Sequence, residues 1–355
     1  MVDTAVANDS RKHTDVQSLL DKVNMEGKVA IVTGGNTGLG FEMCKALVSC
    51  GAHVILATRN DKRGLDAAKE LNLVAGRSRS KGFVEYLHIN MASFRSISNF
   101  VTMFHKKKLP LHLLANNAAV WMVEDQMTED GFECQIGTHF FGHAYLSSLL
   151  LPTLKQSAPS RIVWTTSAAE AAGDVDWDNL AGVGYKSDFM TYCTNKLYGL
   201  MFARELATRL KDTGVKVFAA QPGMASTDFF NPKKFDIFKI GAVSQYLAQK
   251  VIGLTPAQGA APCIMCCLMD PEDLIDASSG VSYGPRYYKT WLPRGLPNIT
   301  NVDILQHQKP ENDAANDPEA CSRLYDQTLH IIRKRVSEIE VEQKSQKITS
   351  KKAAK

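Results

Sequence analysis

Residues 28–50 read KVAIVTGGNTGLGFEMCKALVSC: an unbroken apolar run, a glycine-rich turn, then a stretch with helical character. Val29 to Val32 has the two-sided apolar composition of a fully buried strand, and Gly38 to Cys50 continues as a helix. Between them, Thr33-Gly34-Gly35-Asn36-Thr37-Gly38-Leu39-Gly40 supplies a strand-to-helix turn. Glycine at 34, 38 and 40 lets the backbone bend sharply, approach a pyrophosphate and pack the helix closely on the sheet. The helix amino terminus adds unsatisfied N–H groups and a dipole that favours anions. This is the context that a phosphate-binding turn requires.

The alternation continues outward from that turn. Strands are expected at His53–Thr58, Phe83–Ile89, Leu111–Ala115, Arg161–Thr166 and Val215–Ala220, with a short one near Val281–Tyr283. Helices are expected between them, near 62–71, 93–107, 131–151, 192–211 and 256–269. Strand and helix in turn imply parallel strands joined by right-handed crossovers. The expected fold is therefore α/β, a single Rossmann-type doubly wound parallel sheet of about seven strands with helices on both faces.

The rhythm runs past the middle of the 355 residues without a compositional break, so one domain is expected at 27–335. A polar arm of residues 1–26 precedes it. Residues 285–318, rich in Pro, Asn and Asp, read as irregular, and a terminal helix spans 317–339. Residues 336–355 hold the end of that helix and a solvated, Lys-rich tail. Two longer stretches, 168–191 and 229–251, are candidate substrate lids.

Composition narrows the function. Hydrophobic content of 45% with 22% charged residues describes an ordinary globular chain, and a net charge of +4 spread along it gives no basic stripe for nucleic acid. Eight cysteines in a chain of this length do not make a disulfide framework, and no apolar stretch reaches bilayer length. A reducing, cytoplasmic setting is expected, with membrane contact at most peripheral. Cys263, Cys266 and Cys267 lack further ligands in register and read as core packing, and no metal is expected. Lys106, Lys107 and Lys108 read as a solvated helix end.

Tyr192 and Lys196 stand one helical turn apart in Tyr-Cys-Thr-Asn-Lys, so an ammonium can lie beneath the tyrosine ring and favour its phenolate. The fifth strand ends in Ser167. The second ends in Ala57-Thr58-Arg59-Asn60, where a planar guanidinium replaces the acidic residue that would hold the ribose hydroxyls of NAD(H). Arg59 thus favours the 2′-phosphate of NADP(H).

The glycine turn, Asn116-Asn117-Ala118-Ala119, Ser167, Tyr192 with Lys196, and Pro222-Gly223 together resemble the short-chain dehydrogenase/reductase family. Gly131-Phe132-Glu133 through Gly142-His143, and Pro256 to Gly259, are similar to its retinol-dehydrogenase-like and WW-domain-oxidoreductase-like branch. The resemblance spans roughly residues 27–335. It implies an oxidoreductase interconverting a small-molecule carbonyl and alcohol, with Tyr192 as proton donor or acceptor, Lys196 tuning it and holding the nicotinamide ribose, and Ser167 binding the substrate oxygen.

The resemblance also implies a cofactor site. Its residues are Gly34, Asn36, Thr37, Gly38, Leu39 and Gly40 at the pyrophosphate, Arg59, and Asn90 with Met91 at the adenine. Asn116 and Ala118 lie by the adenosine ribose, and Pro222, Gly223, Met224 and Thr227 near the nicotinamide carboxamide. Asn90 stands where an aspartate is usual, and His139 where a relay asparagine is usual. His139 is therefore either the fourth catalytic member or a residue packed in its helix. Trp121, Met122, Phe189, Phe229, Phe230, Phe235 and Phe238, in or near the substrate loops, suggest a lipophilic substrate. A homodimer is possible on the family pattern, and a catalytically weakened nucleotide-binding scaffold or redox sensor is the alternative function.

Overall fold

The computed structural model describes residues 16–78, 81–121, 126–222, 254–269, 282–285, 305–308, 310 and 312–353. After a short helix α1 (Val16–Lys22), the expected alternation appears. It runs β1 (Val29–Thr33), α2 (Gly38–Ser49), β2 (His53–Thr58), α3 (Asp61–Ala75), β3 (Phe83–His88), α4 (Phe94–Lys106) and β4 (Leu113–Asn116). A turn α5 (Cys134–Ile136) then passes through a π-helical stretch, Gly137–Phe141, into α6 (Gly142–Gln156), followed by β5 (Ser160–Thr165). Next come a 3-10 segment, Ala168–Ala172, α7 (Asp188–Arg209), β6 (Val215–Ala220) and α8 (Pro256–Leu268). The chain closes with β7 (Ser282–Pro285), β8 (Leu305–Gln308), α9 (Asp313–Asn316) and α10 (Pro318–Ala353).

The strands form one sheet in the order β3-β2-β1-β4-β5-β6-β7-β8. Pairings from β3 to β7 are parallel, with Ile31 of β1 beside both Ile55 of β2 and Leu114 of β4. The seven expected parallel strands are present. An eighth, β8, pairs antiparallel with β7, so the stretch read as irregular carries a strand and the short helix α9. The terminal helix also runs on to Ala353, through residues read as a tail.

β1 is buried along its whole length and its side chains alternate between two cores. Val29 and Ile31 face α4, α6, α7 and α10; Ala30 and Val32 face α1, α2, α3 and α8. Helix starts are written locally. Asn60 Oδ1 accepts from Arg63 N at 2.9 Å, Ser93 Oγ accepts from Ser96 N at 3.2 Å, and Thr255 with Gln258 forms a reciprocal capping box before α8. Cys263, Cys266 and Cys267 lie buried on α8, as their apolar reading required.

The sheet order reverses between β1 and β4, and a crevice opens at the carboxyl ends of those strands, the ligand position of open α/β sheets. Both the glycine turn and Asn116 end there. The 168–191 stretch, one of the two lid candidates, is tied to the body of the fold: Leu180 is buried in the core, Glu133 N donates to Ala181 O at 2.8 Å, and the Arg323 guanidinium sits 4.1 Å from the Trp177 ring centre. The other lid candidate, 229–251, lies outside the described residues.

Candidate active site

Thr33, the last residue of β1, organises the crevice floor. Its Oγ1 accepts N–H bonds from Asn117 at 2.9 Å and Ala118 at 3.0 Å, while Asn117 Nδ2 donates back to Thr33 O at 2.9 Å. His143 Nδ1 lies 2.8 Å from the His139 carbonyl, so it must carry the proton, and Nε2 accepts the Thr33 hydroxyl at 2.9 Å. Burial pushes the His143 pKa down to about 4, which keeps this tautomer neutral. Asn117 and Ala118 thus shape the turn between two strand ends.

The glycine turn has the form its sequence implied. Gly34 and Gly38 take φ values of +68° and +57°, open to glycine at little cost. A Cβ at Gly40 would fall 2.4 Å from Gly34 O and 2.6 Å from Asn117 Nδ2. Thr37 precedes α2 but makes no side-chain capping bond, so the first-turn N–H groups of that helix are left for an anion. Asn36 Oδ1 accepts from Thr58 Oγ1 at 2.8 Å, tying the turn to the end of β2, beyond which Arg59 is exposed.

At the end of β4, Asn116 is buried. Its Nδ2 donates to Ser147 Oγ at 2.9 Å, while its Oδ1 has no hydrogen-bond partner among the described residues. The uncapped helix start, the glycine cradle and this orphaned oxygen fit a dinucleotide with a central pyrophosphate. Asn90 Oδ1 accepts from Ala92 N at 3.2 Å, and the Met91 side chain is part of the core. Pro222 is buried after β6; Gly223, Met224 and Thr227, like Met122, Phe229, Phe230, Phe235 and Phe238, lie outside the described residues.

Tyr192 and Lys196 share one face of α7, which begins one turn earlier than the spacing suggested because Ser187 Oγ caps Met190 N at 3.3 Å. Lys196 Nζ lies 5.5 Å from the Tyr192 ring centre and donates to Thr165 O at 2.9 Å. The lysine is only 7% exposed, and desolvation pushes its pKa down to about 8, against the opposing charge of Glu170. Trp121 packs edge-on against Tyr192 at 5.0 Å. Ser167 follows β5 and caps the 3-10 segment through Ala169 N at 3.2 Å, half-buried at the crevice wall.

His139 is buried at a T-shaped 6.1 Å from the Tyr192 ring. Its Nε2 accepts from Val120 N at 2.6 Å and its Nδ1 donates to Asn195 Oδ1 at 2.9 Å; burial and the Lys196 charge hold it well below the usual histidine pKa. Asn195 and Glu170 are the neighbours that motif reading passed over. Glu170 is the lone charge in Ser-Ala-Ala-Glu-Ala-Ala, and it is buried in the 3-10 segment against α7. Asn312 Nδ2 secures that segment by donating to Gly173 O at 2.8 Å and Glu170 O at 3.2 Å.

A doubly wound sheet with a glycine cradle at its switch point, and a half-buried tyrosine over a buried lysine on α7, has the form of a nucleotide-dependent oxidoreductase of the Rossmann type. Residues 28–236 match the family model described as short chain dehydrogenase. The chain is 38% identical to mouse retinol dehydrogenase 11 over 72% of its own length and 78% of that protein. It is 36% identical to zebrafish polyprenol dehydrogenase, covering 69% and 75% of the two chains. L-Sorbose reductase from Gluconobacter frateurii shares the fold at a TM-score of 0.57 and 18% identity, with 74% of this chain and 96% of that one covered. The chain belongs to the short-chain dehydrogenase/reductase family, in its retinol-dehydrogenase-like branch, and is an alcohol–carbonyl oxidoreductase. Among the described residues, no helix is long and apolar enough to cross a membrane.

Proposed function

We propose that the chain is an NADP(H)-dependent oxidoreductase of lipophilic carbonyls and alcohols, with Tyr192 as proton donor in reduction and acceptor in oxidation. The observation that carries this reading is the buried Lys196 ammonium 5.5 Å from the Tyr192 ring centre, held on the carbonyl of Thr165 at the end of β5. The nicotinamide, when bound, supplies or takes the hydride. The N–H groups of the 34–40 turn hold the pyrophosphate, Arg59 the 2′-phosphate, Asn90 the adenine, and Asn116 and Ala118 the adenosine ribose. Lys196 holds the nicotinamide ribose, and Pro222, Gly223, Met224 and Thr227 border the carboxamide.

The chain's own part in the chemistry is positional and electrostatic. Ser167 Oγ and Tyr192 Oη bind the substrate oxygen, and Tyr192 passes its proton to the developing alkoxide. Charge on Lys196 makes that transfer easier by favouring the phenolate left behind. His139, with both ring nitrogens engaged by Val120 and Asn195, acts as a brace behind the tyrosine and not as a proton carrier. Lipophilic character is supported by Trp121 against Tyr192, by exposed Phe189 and Met190 at the start of the same helix, and by relatives named for retinol and polyprenol.

The test is NADPH oxidation with a panel of long-chain aldehydes, ketones and short polar carbonyls. Long-chain substrates should give the higher kcat/KM, and Tyr192→Phe should abolish turnover while leaving NADPH binding intact. Tight NADPH binding with no turnover on any substrate would replace this reading by a nucleotide-sensing one.

A further inference from the structure

Beside Arg59, on the outer edge of the cofactor crevice, three side chains meet that the site above does not use. Asp61 opens α3, while Tyr86 and His88 project from the same face of β3, where His88 is registered against Thr58. Tyr86 Oη donates to Asp61 Oδ1 at 2.5 Å, and His88 Nδ1 donates to the same oxygen at 2.7 Å. Tyr86 cannot withdraw easily, because its ring covers Gly64: a Cβ there would sit 2.4 Å from the ring carbons. The two hydrogen bonds hold the Asp61 carboxyl below the usual aspartate range. Arg59, two residues before Asp61, makes no ion pair or hydrogen bond with any described residue.

A carboxylate at this place has two opposed uses. Turned toward Arg59, it would neutralise the guanidinium and repel a 2′-phosphate; turned toward β3, it leaves the guanidinium open. We infer that Tyr86 and His88 act as a clamp that holds the Asp61 carboxylate away from Arg59, and that this clamp sets the preference of the adenosine end for a 2′-phosphorylated nucleotide. The inference rests on Arg59 as the 2′-phosphate ligand. Tyr86, His88 and Asp61 are positioning residues here, acting on the ligand through Arg59.

The test measures calorimetric binding of 2′,5′-ADP and 5′-AMP, which report the adenosine end without turnover. The unsubstituted chain should bind 2′,5′-ADP more tightly. The double variant Tyr86→Phe/His88→Ala keeps the ring over Gly64 and removes both donors. It should lose about three- to fivefold in affinity for 2′,5′-ADP, the scale of one exposed ion pair, and nothing for 5′-AMP. Adding Asp61→Asn to that variant should restore 2′,5′-ADP binding, which a merely structural defect would not do. Equal binding of the two nucleotides by the unsubstituted chain would overturn the Arg59 reading and the clamp with it. A preserved preference in the double variant, or a loss that Asp61→Asn does not repair, would overturn the clamp alone.

Discussion

Lys196 is a charged group in a place that disfavours charge. Burial drives its pKa down to about 8, and Glu170 opposes that drive; the Cys263 thiol, pushed up to about 11, and His139 and His143 beside it are held neutral. As pH rises through about 8 the ammonium loses its proton, and the charge that favours the Tyr192 phenolate disappears. Proton transfer from Tyr192 to the alkoxide then becomes harder, so carbonyl reduction should fall on that alkaline limb. Glu170→Gln removes a negative charge that helps Lys196 keep its proton, and should move the limb to lower pH. The measurement is kcat/KM for reduction from pH 6 to 10 in both proteins; coincident limbs would remove Glu170 from the account. The Tyr–Lys spacing was legible because it follows the helical repeat. Glu170 was not, because its partner lies across a loop that no local pattern encodes.

At the scale of elements, the strand-to-helix turn is closely built. The clashing neighbours of a Cβ at Gly40 are a backbone carbonyl and an amide already pinned to Thr33, so neither gives way cheaply. Gly40→Ala should cost about 1–3 kcal/mol in urea denaturation and sharply weaken NADPH binding; an unaltered nucleotide affinity would separate the turn from the cofactor. This turn and the parallel strands could be read from the sequence because each is a local apolar run bounded by its own stop signals. Other elements resisted for physical reasons. β8 is four residues amid Pro, Asn and Asp, and its strand character comes from pairing with β7. The passage from the π-helical stretch at 137–141 into α6 is packed closely against the chain after β3, where a Cβ at Gly142 would meet Met91 O at 2.2 Å, a contact between segments far apart in sequence. The helical extension to Ala353 follows from residues that are good helix formers as well as soluble ones, so polarity alone misread it as a tail.

Across the whole molecule, the catalytic helix is braced from behind by the C-terminal one. α7 carries Tyr192 and Lys196 near its start and presents Phe202 and Arg209 to α10 further on. Tyr325 of α10 is 8% exposed and stacks on Phe202 at 4.7 Å, with the Arg209 guanidinium 4.3 Å from its ring centre. Arg209 also pairs with Glu205 at 2.7 Å and Asp326 at 3.0 Å. Magnitudes decide which of these contacts holds the helices together. The ion pair to Asp326 is more than a third exposed on both sides and contributes at most a few tenths of a kcal/mol, whereas removing a buried aromatic ring costs about 3 kcal/mol. Urea denaturation should therefore show Tyr325→Ala destabilised by about 3 kcal/mol and Asp326→Asn by less than about 0.5 kcal/mol. Equal losses would mean that charge, and not the stacked rings, joins α10 to α7. Since the ring pair lies more than two turns from Tyr192, Tyr325→Ala should keep its nucleotide affinity under conditions where it remains folded, so the brace supplies stability to the site without setting its chemistry.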